Sequence, residues 1–252
     1  VYNPETKETA RNQSGSFYTP REIVNYMVNE SLIAYLGDSP IVRNLFDNRL
    51  KLDDTKQNEY QKIACKLKSV KVLDPACGSG AFPMGLLNRM VDIMQRINPK
   101  EDVYKLKLSI IENCIYGSDI QCIAAQITKL RFFISLICDC VRDPNKLNFG
   151  IPILPNLETK FVSADSLMAK KEKETQRNIF VNEEIYPVKD ELGKIRKEHF
   201  LAKSASAKRR LRERDHKLRK KLAQLLADNK YFAPEDAKQL AVWNPYDQNA
   251  VS

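Results

Sequence analysis

Leu73-Asp74-Pro75-Ala76-Cys77-Gly78-Ser79-Gly80-Ala81-Phe82, LDPACGSGAF, joins a short β-branched run to a helical pattern. Ser69 to Leu73, SVKVL, predicts a buried strand. From about Ala81, the residues Phe82, Leu86, Met90, Ile93 and Ile97 recur on one helical face. Between the two, paired glycines let the backbone come close to a ligand, and the next helix offers free N–H groups to an anion. Asp74 sets a carboxylate beside that turn. A dinucleotide fingerprint would place a third glycine where Pro83 stands, and a Walker A loop would need Gly-Lys-Ser/Thr, which does not follow.

Moving outward, CIYGS (Cys114–Ser118) predicts a second strand that delivers Asp119, followed by an apolar helix, QCIAAQITKLRFFISLI. ETKFVSA (Glu158–Ala164) predicts a third strand ending at Asp165. Strands alternating with helices predict a parallel, doubly wound α/β sheet, in which ligands bind beyond the carboxyl ends of the strands. Each predicted strand ends on an aspartate, so Asp74, Asp119 and Asp165 are expected to converge on one crevice. An acid beside a glycine turn is awkward for a pyrophosphate. It suits a ligand carrying an ammonium, a sulfonium and a carboxylate, as S-adenosylmethionine does, with Asp119 placed for ribose hydroxyls.

Upstream, Thr19-Pro20-Arg21-Glu22 predicts a helix start, with Thr19 as cap, Pro20 in the first turn and Glu22 closing a capping box. Val24, Met27, Val28 and Ser31 continue that helix and Gly37 ends it. Residues 38–68 read as helical and polar, with Tyr60, Ile63, Ala64 and Leu67 as the apolar face. Past Ser166 the β character fades. Leu211, Leu218, Leu222 and Leu225 form an apolar stripe on a basic helix, which predicts an inserted hairpin or arm.

Net charge is +9 and is unevenly spread. Lys194 to Lys221 hold thirteen Lys/Arg against three Asp/Glu, so the rest of the chain is close to neutral. One basic arm on a neutral body is the footprint of a nucleic-acid or anionic-surface contact, the alternative being a solvated charged helix. An apolar content of 43% and a charged content of 29% are ordinary for a globular protein. The longest apolar run, FFISLI (Phe132–Ile137), is far shorter than the roughly 20 residues that span a bilayer, so no membrane partner is expected. VYNPETKETARN shows no signal-peptide pattern and no initiator Met, which suggests a piece of a longer, cytoplasmic protein. Six scattered cysteines read as reduced thiols. Cys138-x-Cys140 has no second pair to complete a zinc site, and His199 and His216 read as solvated, so no metal is expected.

DPACGSGAF resembles the cofactor motif of N6-adenine DNA methyltransferases, particularly those of type IIG-like restriction–modification enzymes. Three further segments match in that family's order: Gly15-Ser16-Phe17-Tyr18-Thr19-Pro20, Gly117-Ser118-Asp119-Ile120 and Ala164-Asp165-Ser166-Leu167. The resemblance covers residues 15–167. It implies an incomplete Rossmann-like class I methyltransferase sheet with N-terminal helices and a C-terminal basic helical arm. The expected divisions are 1–68, 69–169 and 170–252.

The resemblance implies that Thr19 and Pro20 line the methionine end of S-adenosylmethionine. Asp74, Ala76, Gly78 and Gly80 would cradle its amino-acid part, Asp119 would hold the ribose, and Ile120 would pack on the adenine. Asp165 would accept from the adenine amine, with Phe82 as an apolar wall. Asp165 as a strand-end cap and Phe82 as ordinary core are the alternatives. Lys208, Arg209, Arg210, Arg212, Arg214, Lys217, Arg219, Lys220 and Lys221 would meet the phosphates of double-stranded DNA.

The family's Asn-Pro-Pro-Tyr motif orients an exocyclic amine toward the methyl group and stacks on a base flipped out of the duplex. This chain holds only Asn244-Pro245-Tyr246, so the expectation is that the chain stops before the catalytic strand and is inactive alone. Nuclease or specificity domains would lie outside it. An RNA or protein methyltransferase of the same fold, and a non-catalytic nucleic-acid-binding module, remain the other readings. An uncovered sheet edge also predicts self-association.

Overall fold

A computed structural model describes residues 19–167, 181–229 and 231–247. The Gly15–Tyr18 part of the upstream motif lies outside them. Helix α1 (Arg21–Leu36) begins at Pro20, whose carbonyl accepts from Ile23 and Val24. Pro20 thus occupies the cap position itself, and the predicted side-chain cap from Thr19 is not made. Gly37 ends α1 in the left-handed region, φ 106°, and its N–H bonds back to Ile33 and Ala34. That arrangement satisfies the last carbonyls of the helix. The predicted helical stretch 38–68 is split into α2 (Pro40–Phe46) and α3 (Gln57–Ser69), with a loop and a short 3-10 turn between. Tyr60, Ile63, Ala64 and Leu67 are the buried face of α3, as their spacing requires.

Strand β1 (Val72–Asp74) leads through the glycine turn into α4 (Ala81–Ile97). Helix α5 (Val103–Asn113) precedes β2 (Ile115–Asp119), α6 (Cys122–Ile137) follows it, and β3 is Phe161–Ser163. The sheet is parallel, in order β1-β2-β3, with Asp74 level with Gly117 and Asp119 level with Ser163. Strand β1 is therefore an edge among the described residues. Leu73 is 62% exposed on it, so this strand is not buried on both faces as its β-branched run suggests. Composition alone does not tell an edge strand from a central one.

Helix α4 lies at the centre. Leu86, Leu87, Met90, Val91, Ile93, Met94 and Ile97 are all buried because α1, α2, α3, α5 and β2 pack around it. Gly85 makes the α1–α4 crossing possible, since a Cβ there would stand 2.5 Å from Val24. The helices before β1 and the sheet share one continuous core.

Helices α7 (Val181–Leu201), α8 (Ala205–Asp228) and α9 (Pro234–Val242) form the basic arm, with α8 packed on both of the others. The buried positions of α8 are Leu211, Asp215, Arg219 and Ala223, while Leu218, Leu222 and Leu225 are only half-buried. The face is displaced from the leucine stripe because Asp215 sits inside it. One Asp215 oxygen accepts from Arg196 Nε at 2.9 Å, and the other from Arg219 Nε at 2.7 Å. Arg219 also donates to the carbonyl of Trp243, which ties α9 in. The arm is anchored ahead of β3, where the Asn156 side chain donates to the carbonyls of His199 and Ala202, capping the end of α7. Arg212 pairs with Glu158 across the same junction at 3.0 Å.

Candidate functional site

The site is built from the turn between β1 and α4. Gly78 and Gly80 both take positive φ, 52° and 84°, the left-handed region that glycine enters without steric cost. At Gly80 a second constraint applies: a Cβ would stand 2.8 Å from Thr128 Oγ1 of α6. Thr128 donates to the Gly78 carbonyl at 2.9 Å, and Arg131, one turn on, donates to the Ser79 carbonyl at 2.8 Å. Sequence reasoning did not single out either residue. A threonine inside the apolar helix pattern was the available signal, but its partner is fifty residues away.

The strand tips are laced together. Asp119 accepts from the Gly78 N–H at 2.8 Å with one oxygen and from the Gln121 N–H at 2.9 Å with the other. Ser118 Oγ reaches the Pro75 carbonyl and lies 2.7 Å from Ser166 Oγ, so it links all three strand ends. Asp74 accepts from the Ala76 N–H at 3.2 Å through Oδ1, while its Oδ2 is buried without a hydrogen-bond partner. Burial raises the Asp74 carboxyl above its usual range, the Ala76 N–H opposes this, and the Asp119 charge adds to it. The Cys77 thiol beneath the turn is pushed up to about 12, by burial first and the two aspartates next, so it is not a nucleophile.

A cavity of about 1000 Å³ opens beside the turn, lined by Thr19, Ala76, Cys77, Gly78, Ser79 and Phe82 among others. Pro20, Asp74, Gly80, Asp119, Ile120 and Asp165 are outside its lining, and Asp74 borders a second cavity of about 440 Å³ that shares Phe82 with the first. Ile120 is 56% exposed at the tip of β2. Asp165 accepts from the Leu167 N–H at 2.9 Å, the local turn expected of a strand-end cap. The structure thus brings Asp74 and Asp119 onto one turn and leaves Asp165 on the neighbouring strand end.

Asn244, Pro245 and Tyr246 lie in the arm. Asn244 Oδ1 accepts from the Tyr246 N–H, and the Tyr246 ring packs on His199 with centroids 4.8 Å apart. Burial raises the Tyr246 phenol far above its usual range, with the Asp215 carboxylate adding to the effect. His199 is fully buried, a correction to its reading as solvated. Its Nε2 accepts from Arg212 Nε, and burial lowers its pKa against the pull of Glu158. His216 remains partly exposed.

Of the nine basic residues expected to meet phosphates, Arg219 is 2% exposed and bonded to Asp215, which removes it from solvent. Arg212 faces inward to Glu158 and His199, whereas Arg209, Arg210, Arg214, Lys217, Lys220 and Lys221 are exposed, and Lys208 is partly so. No group of three or more His, Cys, Asp or Glu among the described residues is arranged to hold a metal. No helix among them is long and apolar enough to cross a membrane.

The model of the MmeI DNA-methyltransferase domain matches residues 50–185, more than half of the chain and all three strands. A protein of Methanocaldococcus jannaschii named "Putative type II restriction enzyme and methyltransferase" is 34% identical over 172 residues. The match covers 61% of this chain and spans 14% of that relative's length. A parallel β1-β2-β3 sheet, with its glycine turn held against an acid at the tip of β2, is an incomplete Rossmann-like methyltransferase sheet, and the chain belongs to the MmeI DNA-methyltransferase domain family.

Proposed function

We propose that the chain supplies the S-adenosylmethionine site of an enzyme that methylates adenine N6 in DNA within a restriction–modification system. The observation that carries this reading is Asp74 Oδ2, a buried carboxylate oxygen with no donor, beside backbone freed by Gly78 and Gly80. A buried polar group without a partner is costly, so the site fits a ligand that brings its own cation. The amino group of the cofactor would meet Asp74, and its ribose would displace the Gly78 N–H from Asp119. Ile120, exposed beyond Asp119, offers an apolar face to an adenine ring. Thr19, Pro20, Ala76 and Phe82 would border the methionine end, and Asp165 would receive the adenine amine.

When bound, this cofactor supplies an electrophilic methyl group. The chain's own contribution is to orient it: Thr128 and Arg131 hold the turn's carbonyls, and Ser118 fixes the strand tips relative to one another. Adenine as the target base rests on the motif resemblance. Restriction–modification as the setting rests on the name of the M. jannaschii relative. The exposed basic residues of α8, chiefly Arg210, Arg214, Lys217 and Lys221 along one line of the helix, would lie against DNA phosphates. Isothermal calorimetry tests the reading: S-adenosylmethionine should bind the chain and should lose affinity in Asp74→Asn. A chain that gives no binding heat, or an unaffected Asp74→Asn, would remove its support.

A further inference from the structure

Four arginines line the larger cavity beside the glycine turn, Arg21, Arg49, Arg89 and Arg131, and they differ in what they already hold. Arg89 is half-buried and fully engaged. It donates to Asn29 Oδ1 at 2.7 Å, to Asn48 Oδ1 at 3.2 Å and to the Phe46 carbonyl, with its guanidinium over the Phe46 ring. Arg49 is closed on Asp47 by two bonds, at 2.9 and 2.8 Å. Arg131 donates to the Ser79 carbonyl and so belongs to the turn's own support. Arg21, the first residue of α1, is exposed, and its guanidinium makes no hydrogen bond or ion pair. Pro20, with φ −56°, fixes the backbone just ahead of it. From Ala76 to Gly85 the lining contains no acid, so nothing on the turn side of the cavity neutralises Arg21.

Asp74 reaches the edge of this same space. It accepts from the Ala76 N–H, Ala76 lines the larger cavity, and Phe82 lines both that cavity and the one Asp74 borders. In S-adenosylmethionine a single carbon carries both the ammonium and the carboxylate. An ammonium held at Asp74 therefore leaves the carboxylate beside Ala76 and Phe82, where Asp74 repels it and an uncommitted cation attracts it. We propose that Arg21 binds the carboxylate of the cofactor, so that Asp74 and Arg21 together select a ligand with a complete amino-acid end. Arg21 has this role only if the chain binds S-adenosylmethionine as proposed above. A guanidinium suits the task because its parallel N–H groups match both oxygens of a carboxylate, whereas a lysine offers a point charge.

Calorimetry on the full chain with two probes tests this. One is S-adenosylmethionine, and the other is decarboxylated S-adenosylmethionine, which keeps the ammonium, the sulfonium and the nucleoside. Arg21→Gln should weaken S-adenosylmethionine about 10- to 100-fold, the scale of a charge-assisted hydrogen bond, and leave the decarboxylated probe within about twofold. Arg21→Lys should recover part of the loss, and Asp74→Asn should weaken both probes. The Tm of Arg21→Gln without ligand should match wild type, because the side chain is exposed and holds nothing. Undiminished binding of S-adenosylmethionine by Arg21→Gln, or an equal loss for both probes, would overturn the role of Arg21 and leave the cofactor site standing. A wild-type chain that binds neither probe would overturn both.

Discussion

Two aspartates mark the contrast between the strand-tip site and the helical arm. Asp215 is fully buried, and both of its oxygens are bonded, to Arg196 and to Arg219. Asp74 is half-buried, and one of its oxygens has no partner. A satisfied buried acid holds helices together and leaves nothing for a ligand. A half-satisfied one keeps a local cost that a cationic ligand can relieve. The Arg196–Asp215–Arg219 cluster is therefore closed, although His199 Nδ1 and Trp243 Nε1 elsewhere in the arm lack partners, whereas the turn is incomplete at its own carboxylate.

The sharpest way to break this comparison is Asp215→Ala. It strands Arg219 in the interior and should cost about 3–5 kcal/mol, the range for removing one partner of a buried pair. Hydrogen exchange should show the loss in residues 181–247 and spare β1 to β3. Uniform loss across the chain would mean that the arm and the sheet unfold as one unit.

Asp74→Asn should act in the opposite sense. Cofactor affinity should fall by about 100-fold, the scale of a charge-assisted hydrogen bond. Stability should rise, with Tm up by about 2 °C. The pH dependence follows from the raised pKa of Asp74. The folded state holds the proton more tightly than the unfolded chain, so stability is lost as pH rises through the window between the ordinary carboxyl value and the raised one. The Tm gap between Asp74→Asn and wild type should therefore close as pH is lowered through that window. A gap independent of pH would show that Asp74 is not the titrating group.

Gly80→Ala tests the turn's geometry instead of its charge. The left-handed backbone and the approach of Thr128 should together cost about 1–3 kcal/mol. Thr128→Ser opens part of that space and should recover some of the loss in the double variant. If the two substitutions simply add, the Thr128 approach does not set the cost.

The smallest stability effects belong to the arm's surface. Neutralising Lys217 and Lys221 should change stability by less than about 0.5 kcal/mol. On the proposed function, DNA affinity should fall for all sequences alike, and the salt dependence should lose roughly 0.9 in slope per contact removed. Arg219→Gln should instead destabilise the arm. If it behaves like Lys217→Gln, the inward reading of Arg219 is wrong.

The amino-acid sequence by itself determined the parallel α/β order, the glycine turn and the acids at the strand ends. Each rests on local chemistry: β-branched runs, helical periodicity, and the backbone freedom of Gly78 and Gly80. The apolar face of α3 and the end of α1 at Gly37 were legible for the same reason. Only the tertiary structure decided that β1 is the edge among the described residues, that Pro20 and not Thr19 caps α1, and that Asp74, Asp119 and Asp165 all lie outside the lining of the larger cavity. It alone decided that His199, Asp215 and Arg219 are interior. These outcomes depend on which residues meet across forty or more positions, or across three packed helices, and periodicity in one segment does not carry its partner's identity. Thr128 shows the same limit: a glycine implies close approach by something, and only packing says by what.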